Sequence, residues 1–198
     1  MQNVDVTKAS GCDGFGNRII KLCAEGLCPS FTTLINRTFV LGKYPSQWKL
    51  ANVIPLYKKE NRHFKTNYRP VSLLPCLSKL CEKVAFKRLY DYLIEIGFLY
   101  RYQSGFRPGD STVNQLLYIV HQIYLAFEQG KEVRVVYLDI SKAFDRVWHR
   151  GLLKKLESLG ICGSLLHWFE SYLQDRMQRV VLEGQSSEWK KLYSGVPQ

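Results

Sequence analysis

The chain has 198 residues, which is long enough to bury one hydrophobic core. Its composition, with 46% hydrophobic and 23% charged residues, is typical of a globular protein and excludes a disordered one. A net charge of +11 and a pI near 9.4 predict an anionic partner, and they favour nucleic acid over an anionic membrane as that partner. No apolar stretch is long enough to cross a bilayer and no signal peptide is visible, so we expect an intracellular protein of the cytoplasm or nucleus.

The first part of the chain predicts a helix followed by a basic β-hairpin. Residues 1–28 show little periodicity and form a poorly defined lead-in, whereas apolar positions recur at helical spacing over residues 29–41. Residues 51–57 predict a strand, in which Pro55 favours an edge position or a bulge. Residues 68–74 predict the return strand. The loop between the two strands is polar and basic, so we expect a positively charged hairpin tip.

Two longer amphipathic helices and a strand follow. Apolar residues at i, i+3, i+4 and i+7 predict a helix over residues 75–96, and Gly97 is a suitable C-cap. A second helix is predicted from Ser111, a good N-cap, to residue 129. Residues 132–140 predict a strand that ends in an acid.

The last part of the chain predicts short helices and a β pair. The helices cover residues 152–159 and 163–174, and the pair joins residues 177–183 to residues 188–193. A helix-rich, basic first half followed by a mixed second half predicts the α+β fold class.

The positive charge is concentrated in one segment. Residues 43–107 contain thirteen Lys/Arg and four Asp/Glu, whereas residues 108–198 contain eleven and ten. A solvated basic face is the plain interpretation of such a segment. Its concentration in one stretch favours nucleic-acid binding.

The six cysteines do not form a metal-binding pattern. The sequence has no Cys-x-x-Cys pair and no short cluster of Cys and His. Cys76 and Cys81 fall in or near an apolar helical stripe, so we expect core thiols.

Asp139 stands where the predicted strand over residues 132–140 ends. A carboxylate at the rim of a sheet can offer oxygen ligands to a hard cation, and phosphoryl transfer to a nucleic-acid end commonly uses two such ions. A single aspartate cannot hold both ions, and on spacing alone an acid at a strand end is more often a cap or a surface group. Asp145 lies six residues further on and need not face the same site.

The segment Tyr-Leu-Asp-Ile-Ser-Lys-Ala-Phe-Asp-Arg-Val-Trp-His at residues 137–149 resembles motif A of non-LTR (LINE-like) retrotransposon reverse transcriptases. Residues 48–59 and 67–74 resemble the fingers segments of this family. Residues 103–112 resemble its next fingers motif, and residues 194–198 resemble the opening of motif B. Five motifs in the same order are far more specific than any one of them.

This resemblance implies a right-hand polymerase fold. Fingers would correspond to the helical and basic region over residues 29–131, and a partial palm to residues 132–198, truncated before the palm catalytic hairpin and the thumb. The implied reaction is RNA-templated DNA synthesis. Its partners would be an RNA template, a DNA primer and deoxynucleoside triphosphates, with no membrane and no specific protein partner.

The resemblance also implies a metal site. Asp139 matches the motif A aspartate that binds both catalytic magnesium ions, with manganese as an alternative ion. The backbone carbonyl of Ile140 would be a further oxygen ligand. For Asp145 we expect a structural role within motif A, such as holding the turn.

Further residues match positions that contact nucleotide or nucleic acid. Arg69 matches the arginine of the fingers that binds the incoming triphosphate. A guanidinium suits this role because it pairs with phosphate oxygens in a planar fork. Phe144 matches the bulky residue that excludes a ribose 2′-hydroxyl, although residue type alone favours a core phenylalanine. The remaining candidates are Lys58, Lys59 and Lys65 for a second phosphate contact, Gln198 near the nascent base pair, and Gln103 and Arg107 for the template.

One family motif is missing from the sequence. The aromatic-x-Asp-Asp hairpin supplies the other metal carboxylates of the family, and the sequence contains no Asp-Asp pair. We therefore expect this chain alone to be inactive. The alternative is a non-catalytic nucleic-acid-binding remnant of a retroelement.

Overall fold

A computed structural model describes residues 1–197, which form a mixed α/β structure. The six helices are α1 (Asn17–Leu22), α2 (Ala24–Leu41), α3 (Cys76–Glu95), α4 (Thr112–Glu128), α5 (His149–Ser158) and α6 (Gly163–Leu173). The five strands are β1 (Leu50–Tyr57), β2 (Tyr68–Leu73), β3 (Met177–Leu182), β4 (Gln185–Ser186) and β5 (Lys190–Lys191).

The chain divides into two compact units. The first unit contains residues 1–84 together with the chain from residue 142 onward, and the second contains residues 85–141. The first unit holds the sheet and helices α1, α2, α5 and α6, whereas the second holds the end of α3 and all of α4.

The predicted basic hairpin is confirmed, but β1 is not an edge strand. It pairs with β2 antiparallel and with β3 parallel, through residues 50–53. Pro55 lies beyond the β3 register and faces Pro70 of β2. The hydrogen bond from Lys58 N to Asn67 O, 2.9 Å long, makes Pro55 and Pro70 a non-hydrogen-bonded pair by alternation. Neither proline therefore removes a hydrogen bond between these strands.

The predicted β pair near the end of the chain is confirmed, although its second strand is short. Glu183 and Gly184 both have positive φ, 49° and 79°, as in the type I′ turns of two-residue hairpins. The turn brings β4 back onto β3, and Lys190–Lys191 then pairs with the first residues of β3. β3 is thus the strand that joins the two hairpins into one sheet.

An aromatic cluster forms the core of the first unit. Trp168 of α6 is only 1% exposed and stacks on Tyr172, with ring centroids 5.8 Å apart. Tyr44 meets Trp168 edge-on at 5.3 Å, and Phe39 of α2 lies 4.9 Å away from it. The indole N–H of Trp168 donates to Thr38 Oγ1 at 3.2 Å. These contacts attach α6 to α2 and to the segment that leads into β1.

Most polar groups within this core are paired, although Arg176 Nη2 is buried without a hydrogen-bond partner in residues 1–197. The Tyr44 hydroxyl lies 2.8 Å from Ser78 Oγ and donates to Glu82 Oε1 at 3.1 Å, and Ser78 Oγ donates to the same carboxylate. Burial raises the pKa of Tyr44 above its usual value, with a further contribution from Glu82. Cys76 and Cys81 are buried, so the prediction of core thiols is confirmed.

The lead-in is more ordered than the sequence pattern indicates. It contains α1 and the first turns of α2, which begins before Pro29. Gly11 packs against the chain entering α3 so closely that a Cβ there would lie under 3.0 Å from backbone atoms of Leu74 and Pro75. A glycine at this position allows the lead-in to cover the start of α3.

Helix α4 forms as predicted, with Ser111 Oγ accepting from Asn114 N at 3.2 Å as the N-cap. Most of its apolar stripe is nevertheless exposed: Val113, Leu116, Leu117, Tyr124 and Phe127 are all at least 60% exposed. No helix within residues 1–197 combines the length and apolarity needed to cross a membrane.

The predicted strand over residues 132–140 is wrong. This segment forms no regular element, and Tyr137 and Leu138 are 86% and 93% exposed. A strand is stabilised by pairing with neighbours rather than by its own sequence, and residues 1–197 provide no neighbour for it. An apolar pattern alone therefore did not suffice to form the strand.

Candidate functional site

Asp139 and Ile140 lie at the end of the irregular, exposed segment of the second unit. Their oxygens are hard donors, which is the type of ligand that magnesium prefers. Among residues 1–197, however, no three His, Cys, Asp or Glu side chains converge into a metal-binding group. The donor chemistry at Asp139 fits the expected ion, but the set of ligands is incomplete in the described chain.

Phe144 and Asp145 belong to the first unit, where they form a 3₁₀ turn ending at Arg146. This turn is joined to the segment 194–196 by backbone hydrogen bonds. Val196 N donates to Phe144 O and Gly195 N donates to Val147 O, both at 2.9 Å. Ser194 Oγ adds a bond to Asp145 O at 3.2 Å. The structure thus brings residues 144–149 of one sequence motif and residues 194–196 of another into direct contact.

His149 completes this junction, and sequence reasoning missed it. Its Nε2 lies 2.6 Å from Gly195 O, across 46 residues of sequence. Gly195 has a φ of 82°, and a Cβ there would lie 2.9 Å from Asp145 O. The only sequence signal for this contact was the position of both residues inside family motifs. The junction fixes the backbone on either side of Phe144.

A cleft of about 390 Å³ opens beside this junction in the first unit. Asp145 lines it on one side, and strands β1, β2, β3 and β5 contribute to its walls. Lys191 also lines the cleft and pairs with Asp175 at 2.7 Å. The hydrogen bond from Lys191 holds the pKa of Asp175 below its usual value. This cleft is the candidate pocket of the first unit.

The four predicted phosphate ligands lie in the β1–β2 hairpin. Arg69 lies in β2 opposite Leu56 and is exposed, and Lys58, Lys59 and Lys65 lie in the loop. Lys59 Nζ is 3.6 Å from Glu60 Oε1 in a solvated ion pair. All four cations are exposed and therefore available to an anionic ligand.

Gln103 and Arg107 lie together in the second unit. Gln103 Nε2 donates to Gly105 O at 3.1 Å, and Arg107 Nη1 donates to Tyr100 O at 3.3 Å. Arg107 lines an apolar cleft of about 580 Å³ before α4, beside Phe106, which is 86% exposed with a φ of 60°. Gln198, the predicted contact to the nascent base pair, lies outside the described residues.

Comparisons with known proteins confirm the family that the motifs indicated. The sequence model of the family described as "Reverse transcriptase (RNA-dependent DNA polymerase)" matches residues 57–198. The chain is 32% identical over its full length to a probable RNA-directed DNA polymerase from transposon BS of Drosophila melanogaster. It is 34% identical, over 96% of its length, to the RNA-directed DNA polymerase from mobile element jockey of the same species.

A more distant relative comes from another insect. The Pol polyprotein of the type-1 retrotransposable element R2 of Popillia japonica is 28% identical over 76% of the chain. In each of these three comparisons the chain spans only about a fifth of the relative's length, between 20% and 22%.

Proposed function

The chain belongs to the reverse transcriptase (RNA-dependent DNA polymerase) family, and we propose that it is the segment of a retrotransposon polymerase that carries the first metal-binding carboxylate and the triphosphate-binding hairpin. The family match over residues 57–198, which includes every proposed site residue, is the observation that supports this function best. The complete protein would synthesise DNA on an RNA template, and this chain would be fingers and part of the palm.

Asp139 would bind the metal ions with one carboxylate, and the carbonyl oxygen of Ile140 would add a ligand. Magnesium, or manganese in its place, would stabilise the charge that develops on the transferred phosphate. The remaining carboxylates would come from parts of the protein beyond residues 1–197. We therefore expect the 198-residue chain alone not to polymerise.

The hairpin would hold the incoming deoxynucleoside triphosphate. Arg69 would pair with phosphate oxygens through two parallel N–H donors, and Lys59 or Lys65 would add a single charge. Positioning the α-phosphate against the primer 3′-hydroxyl contributes to catalysis by lowering the entropic cost of the reaction. Exposed cations on a paired antiparallel hairpin are suited to this role.

Phe144 would select the sugar of the nucleotide. Its backbone is fixed by the junction with residues 194–196, so its ring cannot withdraw by a shift of the turn. A 2′-hydroxyl would meet the ring, whereas a deoxyribose would not. Gln198 would contact the nascent base pair, and Gln103 and Arg107 would contact the template.

Primer extension by the complete protein tests this function. We expect Asp139→Asn to reduce DNA synthesis in magnesium by about a thousandfold or more, since a metal ligand contributes several kcal/mol to transition-state stabilisation. Asp91→Asn is the matched control, because Asp91 is an exposed acid of α3 whose ion-pair partner is Lys87, four residues earlier on the same helix. Equal activity of the Asp139→Asn and wild-type proteins would contradict the proposal.

The same assay distinguishes the proposed polymerase from the alternative function. A complete protein that binds a primer–template but does not extend it would be a non-catalytic nucleic-acid-binding remnant. The basic hairpin would support binding in either case, with strong salt dependence. Extension that depends on Asp139 excludes the remnant.

A further inference from the structure

The junction between the Phe144 turn and residues 194–196 contains a side-chain donor that comes from a helix. The three bonds donated by residues 194–196 end on backbone oxygens of residues 144–147. The bond from His149 runs the other way. Because a carbonyl oxygen only accepts, His149 Nε2 carries the hydrogen and donates it to Gly195 O at 2.6 Å. His149 is thus the side chain with which residues 144–149 hold residues 194–196.

Gly195 uses both of its backbone polar groups in this junction. It is buried, its N–H donates to Val147 O, and its carbonyl oxygen accepts from His149. A buried carbonyl that loses its donor keeps the cost of leaving water without the compensating bond. Removing the imidazole would therefore favour detachment of residues 194–196 from the turn.

His149 is itself held in place by the helix that it begins. It is the first residue of α5, and the ring of Trp148 lies so close to Gly151 that a Cβ there would overlap it. Helix α5 packs on α6, which carries the buried Trp168 of the aromatic core. The donor is therefore fixed relative to the core of the first unit.

Phe144 is the residue that this arrangement affects. Its carbonyl oxygen accepts from Val196 N, and Val196 follows the glycine that His149 holds. A ring that rejects a 2′-hydroxyl has to keep its place, since a displacement of about 1 Å at a reacting centre can change a rate about a hundredfold. The hydrogen bond from His149 thus reaches Phe144 through two adjacent peptide groups.

We propose that His149 is a positioning residue for sugar selection. By holding Gly195 O, it keeps the Phe144 turn attached and the ring in place against the sugar of the nucleotide. This inference rests on the proposed function for the role of Phe144. It adds a residue that contacts neither the sugar nor the metal.

Single-nucleotide primer extension by the complete protein, with deoxynucleotides and with ribonucleotides, tests the role in selection. A ribonucleotide enters when the turn is detached, so its kcat/KM follows the population of the detached state. His149→Ala is expected to raise ribonucleotide incorporation relative to deoxynucleotide incorporation about 5- to 100-fold, the factor for losing a bond to a buried group. A merely structural loss would lower both efficiencies equally and leave their ratio unchanged.

The choice of substitution separates the hydrogen bond from the size of the side chain. His149→Gln keeps an N–H donor at about the reach of the imidazole Nε2 and is expected to retain the wild-type ratio. His149→Asn places its donor too short and is expected to behave like His149→Ala. His167→Ala, which truncates an exposed histidine of α6, is the control and is expected to leave the ratio unchanged.

A double variant tests whether His149 acts through Phe144. Phe144→Ala removes the ring, so adding His149→Ala to it is expected to change the ratio no further. Independent, multiplying effects of the two substitutions would overturn the proposal. An unchanged ratio in His149→Ala would overturn it as well.

Hydrogen exchange of the 198-residue chain tests the attachment without any need for activity. The amides of Gly195 and Val196 are expected to lose protection about 5- to 100-fold in His149→Ala and to keep it in His149→Gln. Unchanged protection in His149→Ala overturns this inference whether or not the complete protein polymerises. A complete protein that does not extend a primer contradicts the proposed function instead, so the two proposals fail separately.

Discussion

Replacing Gly195 with alanine should break the junction between the Phe144 turn and residues 194–196. The glycine has a φ of 82°, a conformation that costs a residue with a Cβ about 1–2 kcal/mol. The added Cβ would also lie 2.9–3.0 Å from Asp145 O, Asp145 Cα and Phe144 O. These are backbone atoms, so relief requires a shift of the turn, which costs a further ~1–3 kcal/mol.

Gly184→Ala is the matched control for the steric part of this cost. Gly184 has a φ of 79° but no heavy atom within 4 Å of a built Cβ. Both variants therefore carry the same backbone strain, and only Gly195→Ala carries the clash. In urea unfolding of the 198-residue chain, Gly195→Ala should lose about 1–3 kcal/mol more than Gly184→Ala.

Local detachment of residues 194–196 would relieve the clash without global unfolding, so hydrogen exchange accompanies the urea experiment. The amides at positions 195 and 196 donate to Val147 O and Phe144 O, and they should lose protection in Gly195→Ala but keep it in Gly184→Ala. Equal unfolding free energies for the two variants, with unchanged protection at both amides, would refute the steric reasoning.

Three further outcomes follow from packing and burial. Gly11→Ala should destabilise the chain by about 2 kcal/mol or more, whereas Gly26→Ala, inside α2 with open space around it, should stabilise it by ~0.5–1 kcal/mol in the same urea assay. Native labelling with iodoacetamide should modify exposed Cys162 but not buried Cys81, and labelling of Cys81 without denaturant would contradict its burial. Burial raises the pKa of Cys81 from 9.0 to about 12, so the folded state keeps a proton that the unfolded state releases. The contribution of Cys81, measured as the difference between the unfolding free energies of the wild type and Cys81→Ala, should therefore fall between pH 9 and 12 by up to ~1.4 kcal/mol per pH unit, and parallel pH profiles of the two proteins would exclude this linkage.

The sequence predicted the local elements well because their signals are local. Gly97 follows α3 in a left-handed conformation, and Ser111 caps α4, as their residue types indicated. The hairpin of β1 and β2 also followed from its own residues. The lead-in was not predicted, since α1 is only six residues long and shows no usable periodicity.

The candidate site was predictable as a set of motifs but not as an arrangement. Residues of motif A and of the motif B opening were both identified from sequence, yet nothing in the chain order indicated that His149 and Gly195 share a hydrogen bond. Contacts across 46 residues depend on how the turn and the sheet pack, and no local pattern encodes them.

Taken alone, the sequence determined the family, the basic hairpin and the positions of most helices, because caps, periodicity and ordered motifs act over short distances. The tertiary structure decided that β1 lies between two strands, that Phe144 is fixed by residues 194–196, and that residues 132–140 remain irregular. Each of these depends on partners distant in sequence. Asp139 shows the difference most clearly, since its motif is local whereas the strand expected to carry it requires a neighbour.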